Sequence, residues 1–227
     1  MNVAIIVAAG TGSRMGDGER KQFRLLAGKP LVVHTLKRFE ECHTIGEMIA
    51  VVPAGDVAQC LRLASEHNLG KLTRVVPGGN SRAESVLRGL QAVRAATAEI
   101  IAVHDGARPF VSPDEIDRTV RAAQGECGAA ILVRSAVDTI KEIEASYVKR
   151  TLPRASLRHA LTPQCFRYDL LRRAYQQAAP DEATDDSQLV EALGVKVSVV
   201  EGDRRNIKIT TPEDWKLAEI LVREFGE

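Results

Sequence analysis

Val3-Ala4-Ile5-Ile6-Val7-Ala8-Ala9-Gly10-Thr11-Gly12-Ser13-Arg14-Met15-Gly16 opens the chain with a short apolar run that breaks into a glycine-rich bend. A run this short, ended by glycine, is a buried strand rather than a helix. Further runs rich in Val and Ile recur at 48–52, 73–76, 100–104 and 130–134. Between them, residues 30–41, 55–68, 81–96 and 113–124 carry apolar side chains at helical spacing. Strands alternating with helices of this length build βαβ units on a mostly parallel sheet. Two helix starts are explicit: Ser112-Pro113-Asp114-Glu115 and Thr211-Pro212-Glu213-Asp214. Each offers a hydroxyl cap, a proline at the first helical position and an acid three residues after the cap. The expected fold is a single Rossmann-like α/β domain spanning 1–227, its mixed, mostly parallel sheet flanked by helices.

Residues 136–152 break this rhythm. They read as two short strands around Glu144-Ala145-Ser146, an arm inserted at about 136–155 that projects from the main sheet. Such an arm is either decoration or a reach toward a neighbouring subunit.

Composition limits the function classes. A chain of 227 residues buries about 70–75% of its unfolded surface, enough for a full core. Aromatics are only 4%, so that core rests on Val, Ile, Leu and Ala, the residues of a buried parallel sheet. The formal charge is +1, so no molecule-wide field draws the protein to nucleic acid or to anionic lipid. Any bound anion must be held by local charges. Cys42, Cys60, Cys127 and Cys165 form no CxxC pair and have no His at zinc-ligand spacing, which points to plain thiols in a reducing compartment. The opening apolar run lacks a basic segment before it, and no stretch reaches the ~20 apolar residues of a membrane span. The expectation is a soluble, cytoplasmic protein.

The first bend admits several readings. A dinucleotide fingerprint needs its third glycine one residue earlier than Gly16, and Arg14 intrudes where a pyrophosphate needs bare backbone. A P-loop needs a Gly-Lys-Ser/Thr ending that is absent. A triphosphate cradle, in which Arg14 and Lys21 join backbone N–H groups around the anion, fits the residues present. A plain βα turn with two solvated cations fits them too.

Beyond the turn, Lys21-Gln22-Phe23 and Gly28-Lys29-Pro30 complete a segment that resembles the nucleotidyltransferases that make sugar nucleotides. Four more blocks follow in order. They are Gly78-Gly79-Asn80-Ser81-Arg82-x-x-Ser85-Val86, His104-Asp105-Gly106-Ala107-Arg108-Pro109, His159-Ala160-Leu161-Thr162-Pro163-Gln164 and Asn206-Ile207-Lys208-Ile209-Thr210-x-Pro212-Glu213-Asp214. Together, from Val3 to Trp215, they resemble the 2-C-methyl-D-erythritol 4-phosphate cytidylyltransferase family of the non-mevalonate isoprenoid pathway.

That resemblance implies attack of a substrate phosphate on the α-phosphorus of CTP, with pyrophosphate leaving. Such chemistry rests on positioning and charge stabilisation, so no protein nucleophile is needed. The family pattern assigns Arg14 and Lys21 to the α-phosphate, and Lys208 and Arg154 to the acceptor phosphate. It places the nucleotide against Ala8, Ala9, Gly10, Gly12, Gly79, Asn80 and Ser85. Substrate contacts are implied for Asp105, Ala107, Arg108, Thr139, Thr162 and Thr184, with Asp105 also near Mg²⁺. Arg154 and Thr139 would come from the partner's arm, making the protein a homodimer. Two positions depart from the family pattern: Asn80 stands where many relatives carry an acid, and Arg20 where they commonly carry Pro. Cytidylyl transfer to ribitol 5-phosphate or another polyol phosphate is the nearest alternative activity. A nucleotide-binding regulator without catalysis is the alternative outside enzymes, and a dehydrogenase is the third.

Overall fold

Asn2–Val7 forms strand β1, which is buried on both faces. Ala4 and Ile6 enter one apolar layer, while Val3 and Ile5 enter the other. This double burial is why the strand reads as an unbroken apolar run. The computed structural model describes residues 1–10, 20–177 and 183–225. After β1 come a small hairpin, β2 (Leu25–Leu26) and β3 (Lys29–Pro30), then helix α1 (Leu31–Glu41) and β4 (Ile45–Val52). They are followed by α2 (Val57–Glu66), β5 (Leu72–Pro77), α3 (Arg82–Gln91), β6 (Ile100–Asp105), α4 (Pro113–Ala123) and β7 (Ala129–Ser135). The chain continues through β8 (Lys141–Glu144), β9 (Tyr147–Thr151), β10 (Arg158–Arg167), α5 (Tyr168–Gln177), α6 (Asp186–Glu191), β11 (Ser198–Glu201) and α7 (Pro212–Phe225).

Among the described residues the main sheet has seven strands in the order β5-β4-β1-β6-β10-β7-β11. All neighbours are parallel except β10, which runs antiparallel to both β6 and β7. Helices α1 and α4 pack on one face, while α3, α5 and α6 pack on the other. From β1 the chain moves outward through β4 to β5, then returns to lay β6 on the far side of β1. The carboxyl ends of β1 and β6 therefore open into a crevice, the usual ligand position of such sheets. No described helix is long and apolar enough to cross a membrane.

Strand β10 is not announced by the sequence pattern, because Pro163 within a run argues against a strand. Its pairing with β7 is interrupted between Ala160 and Gln164, and the Thr162-Pro163 bond is cis. The irregular stretch turns the Thr162 hydroxyl inward, within 3.0 Å of His104 Nδ1, and there it also accepts from the Asp105 N–H (3.2 Å). His104 Nε2 lies 3.1 Å from the Arg108 carbonyl, which can only accept, so Nε2 carries the proton and Nδ1 accepts from Thr162. The arm is a separate two-stranded sheet, β8 and β9, turning at Ala145 with φ of 52°. Both announced helix starts form: Ser112 and Glu115 make a capping box, and Thr211 Oγ1 accepts from the Asp214 N–H.

Gly89 brings α3 hard against the sheet. A Cβ there would lie 2.5 Å from Ile5 Cγ2 and 3.1 Å from Val51 Cγ2, both on central strands. Gly89→Ala should therefore lower stability by about 1–3 kcal/mol through overpacking, outweighing the ~1 kcal/mol helix-propensity gain. Urea unfolding measures this, and an unchanged or raised midpoint would count against so tight a contact.

His104 is fully buried against Phe39, and burial pushes its pKa down to about 4 from 6.5. The folded value lies below the unfolded one, so the stability it protects is complete above about pH 6.5 and fades as pH falls toward 4. Up to about 3 kcal/mol is at stake. The urea midpoint of the wild type should drop across this window, and His104→Asn should flatten that part of the profile.

Candidate active site

The crevice between β1 and β6 holds a cavity of about 550 Å³. Its walls are the end of β1 (Val7 to Gly10), the bend before α3 (Gly79 to Arg82, with Ser85), and the end of β6 (Asp105 to Ala107). Lys21 and Gln22 close one side, and Lys208 and Thr210 another. Five of the sequence blocks thus contribute to the region, four of them to the wall itself.

The small residues are there for closeness. A Cβ on Gly78 would lie 2.2 Å from Ala9 Cβ, and one on Gly106 would lie 2.8 Å from Ala8 Cβ. The bend before α3 is braced by its own helix: Ser81 Oγ accepts from the Glu84 N–H, and Ser85 Oγ accepts from the Gly79 N–H while donating to the Ser81 carbonyl. The Asn80 N–H donates to Glu84 Oε2, the main cause holding that carboxyl below its usual pKa. The α3 N-terminus thus faces the cavity with its positive end, a setting that favours an anion.

Asp105 is 7% exposed. Burial alone would raise its pKa, but three cations overcome that and hold its carboxyl well below the usual range. Arg82 Nε lies 3.1 Å from Oδ1, Lys208 Nζ 2.8 Å from Oδ2, and Arg108 Nε 3.6 Å from Oδ2. Arg82 in turn reaches Asp186 Oδ2 with Nη1 at 2.9 Å. Asp186 is wholly buried, and its other oxygen takes the Tyr175 hydroxyl. Burial works against the charge on Arg82, yet Asp186 and Asp105 outweigh it and hold the guanidinium protonated more firmly than usual. Arg108 is pulled the other way, its pKa lowered by burial.

Lys21 sits on a 3-10 turn (Lys21–Phe23) that is anchored by the buried Phe23, and its Nζ donates to the Ile209 carbonyl at 2.6 Å. The segment carrying Lys208 is tied down in turn. Ile209 donates to the Ala107 carbonyl, Arg108 Nη1 to the Asn206 carbonyl, and Asn206 Nδ2 to the Thr162 carbonyl. Arg20 pairs with Asp56 at 2.5 Å.

The structure brings Ala8, Ala9, Gly10, Lys21, Gly79, Asn80, Ser85, Asp105, Ala107 and Lys208 to one cavity. Gly12 and Arg14 lie outside the described residues. Thr162 and Arg108 sit behind the wall, with their polar groups spent on Asp105, His104 and Asn206. Thr184 lines a smaller neighbouring cavity of about 50 Å³ and bonds to Gln188 Oε1. Thr139 and Arg154 lie exposed on the legs of the arm, outside their own chain's cavity, and Arg154 donates to the Val137 carbonyl.

Sequence reasoning missed the parts played by Arg82, Asp186, Tyr175 and Gln164. Gln164 caps α6 by accepting from the Asp186 and Ser187 N–H groups, and it donates to Asp185. Arg82 stands inside a quoted block, but nothing in its spacing announces a bridge between two acids. Gln164 ends another such block with no sign of the cap it forms, and Asp186 and Tyr175 are joined to the site only through folding.

Comparison with known proteins gives one answer throughout. The chain matches the family model IspD, 2-C-methyl-D-erythritol 4-phosphate cytidylyltransferase, over residues 2–224. A protein of Solibacter usitatus bearing that name is 44% identical over 238 residues, covering 99% of this chain and 97% of its own. One from Geotalea uraniireducens is 43% identical, covering 98% and 97%. Among solved structures, 4-diphosphocytidyl-2C-methyl-D-erythritol synthase of Anaerococcus prevotii superposes with a TM-score of 0.87 at 32% identity, covering 98% of this chain and 96% of that one. The 2-C-methyl-D-erythritol 4-phosphate cytidylyltransferase of Thermus thermophilus gives 0.78 at 36%, covering 98% and 100%. With the fold, the blocks and the matches in agreement, this chain belongs to the IspD family of 2-C-methyl-D-erythritol 4-phosphate cytidylyltransferases.

Proposed function

We infer that the protein transfers a cytidylyl group from CTP to 2-C-methyl-D-erythritol 4-phosphate, giving 4-diphosphocytidyl-2-C-methyl-D-erythritol and pyrophosphate. The observation that carries the reading is the charge of the cavity, whose wall holds Lys21, Arg82 and Lys208 against one acid among the described residues, Asp105. Such a wall suits two phosphorylated substrates brought together, and full-length family membership supplies their identity.

In this reading the backbone from Ala8 to Gly12, with Gly79, Asn80 and Ser85, holds the nucleotide. A phosphate oxygen of the acceptor attacks the α-phosphorus, the bond to the bridging oxygen breaks, and pyrophosphate departs with that electron pair. Arg14 and Lys21 neutralise the charge that builds on the phosphoryl oxygens, by fork and by point charge respectively. Lys208 holds the acceptor phosphate, for which it exchanges its present partner, Asp105. Asp105 and Ala107 bound the acceptor from the β6 side, Arg108 and Thr162 fix that segment from behind, and Thr184 marks its far edge.

A divalent cation, Mg²⁺, fits the cavity in a limited way. No group of three His, Cys, Asp or Glu among the described residues is placed to hold a metal. Among those residues Asp105 is the one acid on the cavity wall, so the ion would be held by that carboxylate together with substrate phosphates and water. When bound, it offsets phosphate charge.

Arg154 and Thr139 enter this reading from a second copy of the chain. Their place on the projecting arm, away from their own cavity, supports a C₂ dimer in which each arm completes the other's site. Both substrates are charged and held in by membranes, so the reaction belongs to the cytoplasm.

Pyrophosphate release should be fast only for CTP with 2-C-methyl-D-erythritol 4-phosphate when four nucleotides are crossed with a panel of polyol phosphates, and it should need a divalent metal. Faster turnover of ribitol 5-phosphate would overturn the substrate assignment. Lys21→Ala and Arg14→Ala should each cut kcat by about 10²–10³-fold with the fold intact. Equal mixing and exchange of inactive Lys21→Ala and Arg154→Ala dimers should restore about a quarter of wild-type activity, since half the dimers are then hybrids with one intact site. No recovery would place Arg154 in its own chain's site, and an Arg154→Ala dimer that is active by itself would place it outside any site.

A further inference from the structure

Gln22 lies on the same rigid turn as Lys21 and lines the active cavity, yet it is only 4% exposed. Its Nε2 has no hydrogen-bond partner among the described residues. A buried amide donor without an acceptor destabilises the protein that carries it, and native folds rarely keep one. The turn around it is otherwise well satisfied. Phe23 N–H donates to Arg20, Arg24 N–H to Lys21, and Leu31 N–H to Arg24, while the Phe23 ring is buried in the core. The backbone thus holds Gln22 in place, and an apolar side chain of equal length would fit the same turn without an orphan. Gln22 belongs to the wall of a cavity that also carries Lys21, Arg82 and Lys208, with Asp105 as its one acid among the described residues. That carboxylate is already engaged by Arg82, Arg108 and Lys208, so the described wall offers the Gln22 amide no anionic acceptor of its own.

We propose that the Gln22 carboxamide donates through Nε2 to a phosphate oxygen of the bound nucleoside triphosphate, on the same phosphate chain that Lys21 serves. The ligand supplies the acceptor that the described residues do not. Gln22 is a binding residue, held ready by the turn so that little ordering is needed on association. This inference rests on the nucleotide reading of the cavity, and it adds a neutral donor beside the charged ones.

The proposal makes two effects run in opposite directions. Gln22→Met keeps the side-chain length and removes the donor. Without ligand, its melting temperature should rise by about 2–4 °C, because an unsatisfied buried amide is gone. Calorimetric binding of CTP, and of inorganic triphosphate alone, should weaken by about tenfold to a hundredfold, the scale of a hydrogen bond to a charged acceptor. Cytidine binding should be unchanged. Gln22→Glu, which puts an acceptor where the donor was, should weaken both anions at least as much. A lower melting temperature for Gln22→Met would mean that the amide serves the fold, and unaltered triphosphate affinity would mean that it touches no phosphate. Either result overturns the proposal. A wild-type protein that binds another nucleoside triphosphate but not CTP would overturn the substrate reading instead. The Gln22 comparison would then be made with that nucleotide.

Discussion

A carboxylate buried at the end of a central strand cannot stay ionised by itself, and Asp105 does so because Arg82, Lys208 and Arg108 converge on it. Those three cations come from the start of α3, from the loop before α7 and from the turn after β6. One buried charge thus draws three distant pieces of chain to the same edge of the sheet. It also leaves the cavity with more positive than negative charge, since Lys21 adds to the total. An incoming phosphate meets cations that folding has already gathered at the cavity wall, which favours electrostatic stabilisation.

The second layer explains why the blocks are longer than the site they serve. In the stretch from His159 to Gln164, the polar side chains of Thr162 and Gln164 turn inward. Thr162 fixes His104 and the backbone of Asp105, and Gln164 caps α6. Helix α6 begins with Asp186, which holds the far end of Arg82. From the Asn206 block, the asparagine holds the Thr162 carbonyl while Lys208 faces the cavity. The Asn206 block therefore carries one residue for the cavity and another that holds its neighbour in place, while the His159 block serves as support alone. Such support matters because a misplacement of about 1 Å can cost about 10²-fold in rate.

The arm belongs to a different level of organisation. Strands β8 and β9 pair only with each other, and Ile143, Tyr147 and Val148 on them are exposed. Nothing in the chain's own core needs them. A hairpin of this kind is marginal in isolation.

Much of the fold is written in local pattern. Double burial of a central strand forces continuous apolar runs, so β1, β4, β6 and β7 are visible as such, and capping chemistry marks the starts of α4 and α7. The arm is visible because it breaks the alternation. Strand β10 is hidden, since Pro163 and its irregular pairing disguise a strand whose hydrogen bonds are supplied by two distant neighbours. The same division runs through the site. Glycines and alanines that let backbones approach, and the cations beside them, stand together in sequence and are legible there. Arg82 bridging Asp105 and Asp186, Thr162 turning away from the cavity, and Gln22 without an acceptor among the described residues were decided by tertiary structure alone. Motifs encode what a short peptide can do by itself, whereas a buried charge or an orphan donor acquires meaning only from the residues that folding brings around it.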